Sequence, residues 1–220
     1  MNDKIYWIWL QQVLGINTSI KTDEIVAYFG NAKALYFAGE YEWRLSGIFN
    51  PRQITKLGNQ DLTKAKNIHE TCVKNNWQMV TPDDEHYPSM LFRLPNFPLV
   101  LYVNGDLDCL KSKITIAIVG TREPTRNSAC IARALSASIT RSGAVVVSGG
   151  ALGIDAASHD GALDAHGNTI AVLGCGLNKN YPAANSALRK QISESGAVIT
   201  EYPPDTAPIA ANTGVGKFKT

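Results

Sequence analysis

The sequence predicts an α/β fold, a parallel-sheet domain preceded by a small all-helical module. Three observations predict it. From residue 113 onward, short continuous apolar runs end in glycine and alternate with helix-length patterns, the signature of strands buried on both faces. Before residue 76, apolar residues recur at helical spacing and are broken by glycines. Within the first of these regions, the turn Ser148-Gly149-Gly150-Ala151-Leu152-Gly153-Ile154-Asp155 leads from an apolar run into a helical pattern through three glycines. Such a turn lets backbone N–H groups approach an anion at a helix start.

The elements follow in order. Ile5, Ile8, Trp9, Gln12 and Val13 share a helical face, and Gly15 stops the run. Thr22-Asp23-Glu24 opens a second helix that Gly30 closes. Asn31 to Phe37 and Pro51 to Leu57 read as short helices, and Asp61 to Asn75 as a longer one. Residues 76–112 form a connector. It holds strands at Gln78–Thr81 and Leu99–Val103, with Pro82, Pro88, Pro95 and Pro98 forcing extended chain between them.

Ile114–Val119 then begins the strand–glycine–helix rhythm, followed by a helix over Asn127–Ser142 whose buried stripe is read as Ile131, Ala134, Leu135 and Ile139. Strand Ala144–Ser148, helix Asp155–Ala165, strand Thr169–Leu173, helix Ala184–Ser195 and strand Ala197–Thr200 complete it. Right-handed crossovers bring the glycine loops together at the carboxyl ends of the strands. Residues 202–220 show no period and read as a linker or frayed tail.

Composition bounds the function. The 220 residues are 45% hydrophobic and 18% charged, an ordinary globular balance. Net charge is only +2, but it is uneven. Residues 1–110 hold 10 Lys+Arg against 12 Asp+Glu, and residues 111–220 hold 11 against 7, so an anion site is expected in the second half. Cys72, Cys109, Cys130 and Cys175 form no C-x-x-C pair, which favours a reducing cytoplasm. The apolar run Ile5–Leu10 is too short for a signal sequence or a membrane span.

The turn does not match a dinucleotide fingerprint. The first strand ends in Gly120-Thr121-Arg122-Glu123, and no acidic residue stands about 20 positions beyond Gly153 to hold a ribose. No Gly-Lys-Ser/Thr occurs either. The glycines serve a phosphate or only a tight turn. Arg122, beside that turn, suits bidentate phosphate binding or a surface ion pair with Glu123 or Asp155. Asp155 and His159 stand four apart on one helix, but a metal site lacks a third ligand. Asp155 is read as capping its own helix, and His159 as a solvated or hydrogen-bonded surface residue. Lys179, before Tyr181-Pro182, stands near the same crevice or is simply exposed. Cys175 lacks a partner base and reads as packing.

Four ordered segments then carry a resemblance: Ile116-Ala117-Ile118-Val119-Gly120-Thr121-Arg122; Ser148 through His159; Ala171-Val172-Leu173-Gly174-Cys175-Gly176-Leu177 with Tyr181-Pro182; and Glu201-Tyr202-Pro203-Pro204. Over about residues 1–208 the chain resembles the DNA-processing protein A family (DprA, also called Smf). The resemblance implies a sterile-alpha-motif-like or helix-hairpin-helix module at 1–75, the connector at 76–112 and a Rossmann-like DNA-binding domain at 113–201. It also implies a non-enzymatic cytoplasmic protein of natural transformation that binds incoming single-stranded DNA and loads the RecA recombinase on it. A homodimer is expected, with no membrane partner, cofactor or metal. The residues expected to hold DNA phosphates are Gly120, Thr121, Arg122, Ser148, Gly149, Gly150, Gly153, Asp155 and Lys179.

The family continues past Glu-Tyr-Pro-Pro with a Phe-x-x-Arg-Asn-Arg segment and further strands and helices. Here Asn212-Thr213-Gly214-Val215-Gly216-Lys217-Phe218-Lys219 lacks those arginines. The expectation is a domain truncated before its family's end, a truncation that bears on DNA affinity, dimerisation and completion of the sheet and leaves an open sheet edge prone to aggregation. Two other readings stand beside this one. The first is a nucleotide sensor or phosphoribohydrolase-type relative on the same scaffold, although the Pro-Gly-Gly-x-Gly-Thr turn that would mark it is absent. The second is a non-functional remnant.

Overall fold

The computed structural model describes residues 3–16 and 20–208. The chain divides into two compact units, meeting in sequence at Leu101/Tyr102.

The first unit carries five helices, α1 (Lys4–Leu14), α2 (Thr22–Phe29), α3 (Ala32–Leu45), α4 (Pro51–Leu57) and α5 (Thr63–Lys74), and the short strand β1 (Gln78–Val80). Ile5 through Gln11 are all buried, so α1 is covered on every side and forms the centre of the unit. Its Trp9 indole N–H donates to the Asn59 carbonyl at 2.9 Å. A reciprocal cap between Asn50 and Gln53, with Pro51 in the first turn, starts α4. The third helix runs beyond the expected end at Phe37. Gly39, at φ +81°, kinks it, and helical geometry resumes as far as Leu45. Gly39 bends the helix without ending it, because the flanking residues are good helix formers.

The second unit contains β2 (Leu101–Gly105), β3 (Thr115–Ala117), α6 (Arg126–Arg141), β4 (Val145–Ser148), α7 (Ile154–Asp164), β5 (Thr169–Val172), α8 (Ser186–Ser195) and β6 (Ala197–Thr200). The strand order is β2-β6-β5-β4-β3. Strands β3 to β6 run parallel, in the register Ile116↔Val146, Val147↔Ile170 and Ala171↔Val198. The sheet is not wholly parallel, since β2 pairs antiparallel with β6, Tyr102 opposite Thr200. An antiparallel strand on an otherwise parallel sheet is a common arrangement. Ala171, Leu173, Cys175, Ile192 and Val198 form a core cluster of buried residues.

Two expectations fail here, with a physical reason for each. The first strand was read as fully buried, but β3 has only β4 beside it, and its Ile116 and Ala117 are exposed. The helix α6 has the expected period with the wrong phase. Ala132, Ser136, Ala137 and Thr140 face inward, while Ile131 and Leu135 are 57% and 51% exposed, Ala134 is exposed and Ile139 is half-buried.

Close helix packing explains the turn of that face. A Cβ on Gly161 of α7 would meet the Arg133 carbonyl oxygen at 2.1 Å, and the Ser136 hydroxyl donates to the Ser158 carbonyl. Two helices this close admit only small residues between them, so the larger apolar face of α6 turns outward.

Residues 202–206 are placed, not frayed. Gly176 N–H donates to Thr206 O at 2.9 Å and Asn178 N–H to Pro204 O at 3.0 Å, folding this segment over the loop that follows β5. Residues 209–220, including Asn212 through Lys219, lie outside the described residues.

Candidate nucleic-acid interface

The parallel strands end on one side of the sheet in a first loop (118–125), a second (149–153) and a third (173–185). Open α/β sheets bind ligands at this side. The first two loops are locked together. Ile154 N–H donates to Thr121 O at 3.1 Å, and the Ser148 hydroxyl donates to Ile118 O at 2.6 Å.

Two glycines make that approach feasible. A Cβ on Gly153, at φ +81°, would stand 2.3 Å from Thr121 O, and one on Gly120 would stand 2.7 Å from the Ile154 side chain. Neither position has room for a side chain, and Gly153 also needs the left-handed backbone region.

Asp155 does not cap its own helix, whose N-cap is Gly153 with no side-chain cap bond. Its carboxylate turns into the loops and accepts from Ala151 N–H at 3.4 Å. Burial pushes its pKa up, while the nearby amides of Ala151, Gly149 and Gly120 pull against that rise. The sequence reading places Asp155 at a phosphate; in the structure its carboxylate is buried and accepts from the loop. A buried carboxylate repels an anion, and this one holds the loop amides from behind.

A different donor set is left unpaired. The amides of Thr121, Arg122, Gly150, Leu152 and Gly153 have no acceptor among the described residues. Arg122 is exposed and makes no hydrogen bond or ion pair among them, so the surface pair with Glu123 or Asp155 does not form. Unpaired amides and a guanidinium are the donor types that bind anions.

His159 is not a surface residue. It is fully buried, its Nδ1 lies 2.8 Å from Thr169 Oγ1, and Nε2 has no partner. Because the Thr169 hydroxyl gives its single proton to Val146 O at 2.7 Å, His159 Nδ1 is the donor in that pair. Burial pushes its pKa down to about 4. Cys175 is buried in the core cluster, and burial pushes its thiol pKa up. Among the described residues no group of three His, Cys, Asp or Glu is placed to hold a metal ion.

Lys179 stands on the third loop, half-buried, with its ammonium 3.9 Å from Asp205. It makes no bond to the first two loops among the described residues. The link between loops comes from a residue the sequence reading missed. Buried Asn185 donates through Nδ2 to Gly150 O at 3.0 Å and Ala151 O at 2.9 Å. An asparagine just before a helix reads as a cap, but Asn185 makes no cap bond with α8. Arg189, also missed, bonds the third loop at Lys179 O and Tyr181 O.

A family model described as DNA recombination-mediator protein A matches residues 78–213. The chain belongs to this family. It is 34% identical to Protein Smf of Synechocystis over 96% of its own length and 54% of that protein. To DNA processing protein DprA of Bacillus subtilis it is 37% identical, over 56% of this chain and 42% of that one. The chain thus spans about half the length of the curated relatives it matches.

Among solved structures, DprA from Streptococcus pneumoniae superposes with a TM-score of 0.76 at 28% identity, covering 93% of this chain and 70% of that one. DNA processing protein A from Helicobacter pylori, whose structure is described as giving insight into its unique single-stranded DNA binding mode, matches with a TM-score of 0.55 at 33% identity. That match covers 62% of this chain and 60% of the other. No helix among the described residues is long and apolar enough to cross a membrane.

Proposed function

We propose that this chain binds single-stranded DNA through its backbone phosphates, at the carboxyl-end loops of the Rossmann-like domain spanning residues 113–201, in DNA processing that feeds recombination. Arg122 grips a phosphate with its planar fork, and the free amides of Thr121, Arg122, Gly150, Leu152 and Gly153 supply neutral donors beside it. Lys179 adds a point charge from the third loop. Gly120, Ser148, Gly149 and Asp155 set the geometry without touching DNA. Single strands are held mainly by phosphate contacts in a positive groove, with aromatic rings as stacking platforms. The exposed Tyr181 ring on the third loop suits that second task.

The observation that carries this reading is Arg122, a guanidinium without a partner among the described residues, on a loop clamped against the glycine turn. The family supports it, as does the Helicobacter pylori relative's DNA-binding mode. A recombinase such as RecA acting on the coated strand, a second copy of the chain, a cytoplasmic location and the absence of any catalysed step complete the proposal. The family's description as a recombination mediator supports the first of these.

Fluorescence anisotropy with a labelled oligothymidylate tests the proposal. A hydrogen bond to a charged group contributes about 1.5–3 kcal/mol, so Arg122→Ala should weaken binding roughly 10- to 100-fold. Its exposed position predicts a stability change within about 0.5 kcal/mol. Unchanged affinity in Arg122→Ala would count against the assigned site.

A further inference from the structure

We propose that Arg189 is a positioning residue of this interface, latching the third loop so that Lys179 is presented to the DNA backbone. The inference rests on the single-stranded DNA reading above. Arg189 projects from α8 and bonds three consecutive residues of the loop. Nη1 donates to Lys179 O at 3.1 Å and to Tyr181 O at 2.9 Å, and Nη2 donates to the Asn180 side-chain oxygen.

The guanidinium makes no ion pair among the described residues. Its charge is spent on the loop's oxygens and not on a carboxylate. Asn185 stands four residues earlier, so the two lie on one side of this helix start. Asn185 holds the second loop by Gly150 O and Ala151 O, while Arg189 holds the third. A single stretch of chain therefore sets the third loop's register against the glycine turn.

Lys179 is also drawn the other way. Its ammonium lies 3.9 Å from Asp205, a carboxylate that accepts from Asn178 Nδ2 at 2.6 Å. With the latch released, the Lys179 backbone keeps among the described residues only the loop's own turn bonds, Lys179 N–H to Gly176 O and Tyr181 N–H to Lys179 O, each 3.0 Å, beside the bond from neighbouring Asn178 N–H to Pro204 O. Lysine at position 189 keeps the charge but cannot fork across three acceptors, so Arg189→Lys isolates the geometry from the charge.

The test is a double-mutant cycle in oligothymidylate binding, with salt titration, using Lys179→Ala, Arg189→Lys and the pair. If Arg189 acts through Lys179, each single variant loses about 3- to 10-fold in affinity, and the double variant is no weaker than Lys179→Ala alone. The salt exponent then falls by about 0.7, one phosphate contact, in all three. Hydrogen exchange should quicken at residues 177–181 in Arg189→Lys, with the unfolding midpoint unchanged.

Additive losses, with a separate step in the salt exponent for each substitution, would show that Arg189 itself holds a phosphate, and would overturn the proposal. So would unchanged affinity, or unchanged exchange, in Arg189→Lys. If Lys179→Ala weakens binding while Arg189→Lys does not, the latch alone fails and the DNA reading stands. If the wild-type chain binds no oligonucleotide, the DNA reading fails and carries the latch with it.

Discussion

Replacing Gly153 by alanine separates two roles of a glycine, because Gly143 supplies the control. Both have positive φ, +81° at Gly153 and +85° at Gly143. Around Gly143 no atom lies within 4 Å of an added Cβ, so Gly143→Ala carries only the conformational penalty, about 1–2 kcal/mol. At Gly153 the Cβ would stand 2.3 Å from Thr121 O and 2.7 Å from Arg122 C and O, all backbone atoms that no side-chain rotation relieves.

The first loop then has to retreat by about 1 Å to reach ordinary contact, and the 3.1 Å bond from Ile154 N–H to Thr121 O is stretched or lost. That bond contributes about 1 kcal/mol and the forced backbone shift about 1 kcal/mol more, so with the conformational penalty Gly153→Ala should cost about 3–4 kcal/mol in all. At about 2–4 °C per kcal/mol, Gly143→Ala lowers the melting temperature by roughly 2–8 °C and Gly153→Ala by roughly 6–16 °C. Only Gly153→Ala moves Arg122, so oligonucleotide affinity should fall about tenfold or more in that variant and stay level in Gly143→Ala. Calorimetry and anisotropy read both. Equal melting temperatures in the two variants, with equal affinities, would refute the interlocked-loop argument.

Other consequences follow from burial. His159 has a folded-state pKa of about 4, below its unfolded value near 6.5, so its contribution is fully present above pH 6.5 and is lost as pH falls towards 4. The difference amounts to roughly 3 kcal/mol, and urea unfolding of His159→Asn should show a flatter acid limb than wild type across that window. Leu135→Glu on the outward face of α6 should leave stability within about 0.5 kcal/mol and raise solubility, whereas Ala137→Glu on the inward face should unfold the domain. A large loss from Leu135→Glu in thermal unfolding would mean that this face is covered in solution.

The strand–helix alternation was readable because continuous apolar runs such as Val145–Val147 match strands covered on both faces. The phase of α6 was not readable. Hydrophobicity pointed to Ile131 and Leu135, and the deciding fact was Gly161 on another helix, which selects small neighbours. The burial of His159 is similarly a tertiary matter, set by Thr169 on a neighbouring strand.

At the interface, the glycines signalled close approach, but sequence alone does not say which group approaches. At Gly153 it is a loop carbonyl, and much of the amide lining faces Asp155. Asn185 and Arg189 gave no signal, since a polar residue at a helix start usually reads as a cap or a solvated charge.

The most direct test of the central claim is the salt dependence of oligonucleotide binding by the unmodified chain. Phosphate-mediated binding predicts that log K falls linearly with log salt, with a slope of about −0.7 per phosphate engaged, and that oligothymidylate and mixed-sequence single strands give nearly the same line. A chain that binds a mononucleotide tightly while showing no salt-dependent affinity for single strands would contradict the account.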